Sequence, residues 1–248
     1  MSAGPWGELR GFFDAKARDG KSDAEAAVHL KGVPSEASAD IYDALARDAD
    51  ELLQLTPADS LLDIGCGPGA LLQRLGPKTR EARGIDISPA MVELTRAKGL
   101  AADHYDGTRL PYADARFDAV LMMAVILNIA QRALVVQLLD EAIRVLKPAG
   151  RLLVADNFHP QVSNLAPHAR PEPPRGWRRL MGIGVSPANP VGTYATGYDV
   201  FGEVMARHPI VEARFVWQRN DYPRIANRAS GRYHALLRKG SAGDVRAR

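Results

Sequence analysis

The chain has one cysteine, Cys66, in 248 residues. That excludes an internal disulfide framework and any metal cluster built of cysteine alone. No apolar run approaches the roughly 18 residues needed to span a bilayer. The first residues lack the basic-then-apolar order of a secretory signal, so the expectation is a cytoplasmic protein with no membrane partner. No internal repeat is visible. His29, His168, His208 and His234 do not fall at metal-ligand spacing, so no metal is predicted. What is present is ordinary for a globular chain: 46% hydrophobic and 25% charged residues, with length enough for one domain with a large core. The net charge of +3 hides an asymmetry, because residues 1–157 carry 18 Lys and Arg against 23 Asp and Glu, while residues 158–248 carry 14 against 6. A basic last third suits an anionic substrate or a nucleic acid, although a solvated face gives the same count.

The stretch Leu61-Leu62-Asp63-Ile64-Gly65-Cys66-Gly67-Pro68-Gly69-Ala70 organises the rest. An apolar strand runs into three glycines at alternate positions and then into a helix, so bare backbone can approach a bound molecule. Gly65, Gly67 and Ala70 also fit the G-x-G-x-x-G/A spacing of dinucleotide binders, with Asp86 about 20 residues on. Asp63 separates the two readings, since a carboxylate there repels a pyrophosphate but suits a cationic amine or sulfonium. Cys66 inside the turn reads as a small side chain packed under the loop rather than as a nucleophile.

The pattern along the chain is helical at first. Trp6, Leu9, Phe12 and Phe13 share one face, and Ile41, Leu45, Ala49, Leu52 and Leu53 share another, in a helix opening at Pro34-Ser35. Strands follow at Ser60–Ile64, Glu81–Ile87, Leu100–His104, Asp118–Met123 and Arg151–Asn157, alternating with helices over Gly69–Leu75, Pro89–Lys98 and Gln131–Lys147. Pro148-Ala149-Gly150 is expected to end the last of these helices. Residues 158–197 are rich in proline and glycine and read as a lid. Asp199 is expected to cap a helix through Arg207, before strands at Ile210–Trp217 and Arg232–Lys239.

Five segments together resemble the class I S-adenosylmethionine-dependent methyltransferases: Asp63-Ile64-Gly65-Cys66-Gly67-Pro68-Gly69, Gly84-Ile85-Asp86-Ile87-Ser88, Asp106-Gly107-Thr108-Arg109-Leu110-Pro111-Tyr112, Phe117-Asp118-Ala119-Val120 and Arg144-Val145-Leu146-Lys147-Pro148-Ala149-Gly150-Arg151. The resemblance covers roughly residues 59–157 and is specific as a set. It implies an α/β fold with a Rossmann-like, doubly wound sheet of seven strands, mostly parallel with an antiparallel last strand. Residues 1–57 would form an N-terminal helical cap, 58–240 the Rossmann-like domain with the 158–197 lid, and 241–248 a frayed tail.

The same resemblance implies S-adenosyl-L-methionine as cofactor, with S-adenosyl-L-homocysteine as product. Asp63, Gly65, Cys66, Gly67 and Gly69 would form the cradle, and Asp86 with Ile87 would take the ribose. Asp86 has a second reading, as a cap for the Ser88-Pro89-Ala90 turn. Asp106 would accept from the adenine amino group, with Gly107 leaving room for the ring, although Asp-Gly is also a turn signal. Met122 and Met123 end the fourth strand where family members often carry polar residues, so no general base can be placed there. His159, just beyond the fifth strand, is the candidate base, against a reading in which it packs on the lid.

The expected reaction is methyl transfer to a small molecule. Arg170, Arg175, Arg178 and Arg179 suggest an anionic group on it. The alternatives are a nucleic-acid methyltransferase, disfavoured by the lack of an Asn-Pro-Pro-Tyr-like tetrapeptide after the fourth strand, and a non-methylating cyclase that keeps the cofactor. The oligomeric expectation is a monomer or a homodimer.

Overall fold

The structure, a computed structural model, describes residues 5–19, 35–158, 166–167, 194–217, 232–241 and 243–244. Two helices come first, α1 (Pro5–Asp19) and α2 (Ser35–Leu53). Strands and helices then alternate as β1 (Ser60–Ile64), α3 (Ala70–Leu75), β2 (Glu81–Asp86), α4 (Pro89–Ala97), β3 (Ala102–His104), β4 (Phe117–Met123), α5 (Arg132–Val145) and β5 (Leu146–Phe158). The described chain continues with β6 (Ala166–Pro167), β7 (Tyr194–Ala195), α6 (Tyr198–Arg207), β8 (Ile210–Trp217) and β9 (Arg232–Lys239).

The main sheet runs β3-β2-β1-β4-β5-β9-β8, with every pair parallel except those of β9, which is antiparallel to both β5 and β8. This is the doubly wound, Rossmann-like sheet that the resemblance implies. Two strands are additional to the seven: β7 joins β5 in parallel at Phe158 and Ala195, and β6 joins β7. Each is two residues long, too short for any hydrophobic alternation to announce it.

The central strands are buried on both faces because helices cover both, so alternate side chains feed two separate cores. Leu62, Ile64, Val120, Met122, Leu152 and Val154 pack with α5 and α6. Leu61, Ala119, Leu121, Met123, Leu153 and Ala155 pack on the other side with Ile41, Leu45, Ala49 and Leu53 of α2. Helix α2 is thus a layer of the sheet core. At the amino edge, Asp118 ties β1 to β4 and β5, its Oδ2 accepting from the Ser60 amide at 2.9 Å, the Ser60 hydroxyl at 2.7 Å and Lys147 Nζ at 2.8 Å.

Two local expectations need correction. Helix α5 stops at Val145, and Leu146 already pairs with Phe117; Pro148-Ala149-Gly150 is a bulge inside β5, where the register shifts and Ala149 has φ +63°. Asp199 lies in the first turn of α6, whose cap is Gly197. The carboxyl ends of β1, β2, β3, β4 and β5 share one edge, and the glycine turn follows β1 there, at the position where open α/β sheets bind ligands.

Candidate active site

The turn after β1 is glycine-rich for a conformational reason. Gly65, Gly67 and Gly69 have φ of +72°, +54° and +81°, a region that L side chains enter at a cost of about 1–2 kcal/mol. The space around them differs. A Cβ on Gly65 would meet Val125 Cγ2 at 2.6 Å and one on Gly69 would meet Thr95 and Leu100 at 3.0 Å, whereas one on Gly67 would meet nothing within 4 Å. Gly67 is therefore the place where bare backbone faces open space. Its carbonyl accepts from Thr95 Oγ1 at 2.7 Å, the Pro68 carbonyl accepts from Lys98 Nζ at 2.6 Å, and the Gly65 amide donates to Ile85 O at 2.7 Å.

Two buried acids flank the turn. Asp63 is 2% exposed, and among the described residues no hydrogen bond reaches its carboxyl. Burial, reinforced by the neighbouring Asp86, pushes its pKa up to about 8. Asp86 ends β2; its Oδ2 accepts from the Gly67 amide and its Oδ1 from the Ser88 amide, both at 2.9 Å. Burial raises it to about 6 against those amide hydrogen bonds. Each oxygen keeps a lone pair for a further donor. The helix cap is Ser88 instead, whose Oγ accepts from the Met91 amide at 3.2 Å.

A buried acid that no hydrogen bond reaches among the described residues, beside an open glycine turn, favours a cationic ligand, which stabilises its ionised form as a pyrophosphate cannot. Methyltransferase domains match the chain over residues 62–154, the segment that carries the glycine turn, Asp86 and β4. Residues 62–154 are similar to a methyltransferase domain. The demethylmenaquinone methyltransferase of Tropheryma whipplei (strain Twist) is 34% identical over 119 residues, covering 46% of this chain and 48% of that one. The 27-O-demethylrifamycin SV methyltransferase of Amycolatopsis mediterranei (strain S699) is 34% identical over 131 residues, 48% of this chain and 47% of its own. The chain thus spans about half the length of these curated relatives. Among solved structures, phosphoethanolamine N-methyltransferase 1 of Haemonchus contortus, in complex with phosphoethanolamine and S-adenosylhomocysteine, has a TM-score of 0.67 at 16% identity over 98% of this chain and 51% of that one. That likeness is one of fold.

Within the matched segment the remaining candidates are unevenly placed. Cys66 is buried and packs beneath the turn, where a Cβ on Gly84 would meet its sulfur at 2.7 Å. Burial first, then Asp86 and Asp63, pushes its thiol well above the usual range, so it stays protonated and a poor nucleophile. Ile87 joins the core with Ile85 and Tyr105. Met122 is wholly buried between Ile64 and Val154 in the sheet, which puts its side chain in the core instead of the crevice; Met123 belongs to the opposite face. Asp106 is exposed, and its Oδ1 accepts from the Thr108 amide at 2.9 Å and the Thr108 hydroxyl at 2.5 Å. Gly107 follows with φ +94°, and the space above it is taken by Trp6 of α1.

His159 and Arg170, Arg175, Arg178 and Arg179 lie outside the described residues. Among the described residues there is no group of three or more His, Cys, Asp or Glu able to hold a metal, and no helix is long and apolar enough to cross a membrane.

Four contributors escaped the sequence reading. Thr95 is a polar residue fully buried on the same α4 face as Met91 and Val92, a legible anomaly. Lys98 sits beyond that helix and carried no such signal. Asp14 and Trp6 reach the site from more than 70 residues away in sequence, and nothing local marks them.

Proposed function

We propose that the chain is an S-adenosylmethionine-dependent methyltransferase acting on a small metabolite. The observation that carries this reading is the Asp63 carboxyl, buried and reached by no hydrogen bond among the described residues, two positions before a turn whose Gly67 backbone is open. The ligand's ammonium or sulfonium would supply the missing counter-charge. When bound, the cofactor supplies an electrophilic methyl group on its sulfonium.

The chain's own residues bind and orient. Gly67 keeps a side chain out of the cradle, Gly65 and Gly69 hold the positive-φ turn that presents it, and Asp86 accepts from the ribose diol with the lone pairs left over from Gly67 and Ser88. Ile87 closes the purine side, and the exposed oxygen of Asp106 faces the amino group. Alignment of the acceptor in line with the methyl carries the rate, with His159 removing a proton if the acceptor is a hydroxyl or an acidic carbon. The relatives that act on demethylmenaquinone and demethylrifamycin SV support a largely apolar, oxygen-bearing acceptor.

Incubation with methyl-labelled S-adenosylmethionine and a fractionated small-molecule extract tests this directly. Label in a small molecule with matching S-adenosylhomocysteine release is the expected result. Label in RNA or protein, or turnover of a substrate without S-adenosylhomocysteine, would contradict it.

A further inference from the structure

Helix α1 makes two contacts that bracket the purine end of the proposed cradle. Near its start, the Trp6 indole fills the space beside Gly107: a Cβ there would come within 2.4 Å of Cδ2, 2.5 Å of Cγ and 2.9 Å of Cε2. Two turns on, Asp14 Oδ1 accepts from the Ser88 hydroxyl at 2.6 Å and from the Ala90 amide at 3.2 Å, at the first turn of α4. Between them Leu9 is buried in the same cluster as Ile87, Tyr105 and Leu110, with Trp6 and Phe13 packed against it, while Ala17 packs on Met91. Positions 6 and 14 are about 12 Å apart along the helix, so α1 spans from the end of β3 to the loop after β2.

A ribose held by Asp86 at the end of β2 must carry its purine toward β3, because β2 has β1 and the glycine turn on its other side. The purine therefore arrives beside Ile87 and Gly107, beneath α1. An indole there presents a π face with no charge to desolvate, and base–aromatic stacking is strong and tolerant of geometry. Glycine suits position 107 on two counts, its φ of +94° and the Trp6 indole in the space a side chain would take.

Resting on the cofactor reading above, we propose that Trp6 is an adenine-contacting residue of the cofactor site, and that Asp14 is the positioning residue that holds α1 in place by docking on α4. The aromatic wall comes from outside the matched domain, from a helix whose approach the glycine at 107 permits.

The test uses a W177F/W217F full-length protein in which Trp6 is the sole tryptophan, with S-adenosylhomocysteine and 5′-methylthioadenosine as probes. Both probes should change the Trp6 emission, with half-saturation equal to that from calorimetry. Trp6→Ala should weaken both by the same factor, about tenfold, the size of one lost base stack, whereas Trp6→Phe should stay within about threefold. Asp14→Ala should shift the ligand-free Trp6 emission to the red as the helix lifts. Asp63→Asn should weaken S-adenosylhomocysteine but leave 5′-methylthioadenosine unchanged, since that probe lacks the amino-acid end. Wild-type affinity in Trp6→Ala, or Trp6 emission indifferent to both probes, would overturn the inference while leaving the cofactor reading intact. Failure of the wild type to bind either probe would overturn both.

Discussion

Asp63 shows how much one side chain decides. Its carboxyl is pushed up to about 8 from the ordinary 3.8 by burial and by the neighbouring Asp86. The folded chain therefore holds a proton that the unfolded chain has lost, and stability falls as pH rises from about 4 to about 8. Asp63→Asn should flatten that fall and raise the melting temperature at pH 8 while weakening S-adenosylhomocysteine binding at least tenfold; a melting temperature equal to or below the wild type's would contradict the assignment. A cation beside Asp63 favours its ionised form, so ligand uptake between about pH 6 and 8 should release a proton. Calorimetry in buffers of different ionisation heat reads this directly. The glycines offer a second contrast. Gly67→Ala should cost about 1–2 kcal/mol for its positive φ and impair binding, because its Cβ enters the open cradle. Gly84→Ala should cost about 1–3 kcal/mol by overpacking, since its Cβ meets Cys66 Sγ at 2.7 Å, with the affinity of the folded fraction little changed.

At the scale of elements, legibility followed the range of the interaction. β1 is legible because five consecutive buried residues end at a glycine turn, β8 because its sequence alternates, and β9 as the partner that β8 requires. The end of α5 was misread because Pro148-Ala149-Gly150 carries the residue types of a helix stop, yet Leu146 gains a strand partner in Phe117 first, a contact that sequence spacing does not reveal. A cap at Asp199 sets the start of α6 two residues too late, because Gly197, the actual cap, has no side chain to recognise. α4 shows local and distant information meeting: Ser88 and Pro89 announce its start, but Asp14 completes it from another helix. Ser88→Ala removes the cap and the shorter of the two Asp14 contacts, leaving that from the Ala90 amide, and should cost about 1 kcal/mol in chemical denaturation, with α1 more exposed to hydrogen exchange. Unchanged exchange in α1 would show that Leu9 and Ala17 hold the helix by themselves.

For the whole molecule, the sheet order puts the glycine turn and its two acids at the carboxyl ends of β1 and β2, with the carboxyl ends of β4 and β5 beside them. Of the candidate site, the glycine turn and its two acids could be read from sequence because they lie within 24 consecutive residues, 63 to 86. The aromatic wall could not, because it depends on how a distant helix docks. The account as a whole depends on the sign of the charge that this edge accepts. Isothermal calorimetry with S-adenosylmethionine and with NADH at pH 7.5 settles that sign. The structure predicts saturable binding of S-adenosylmethionine, lost in Gly67→Arg and weakened in Asp86→Ala, and no heat from NADH. Binding of NADH with none of S-adenosylmethionine would contradict it.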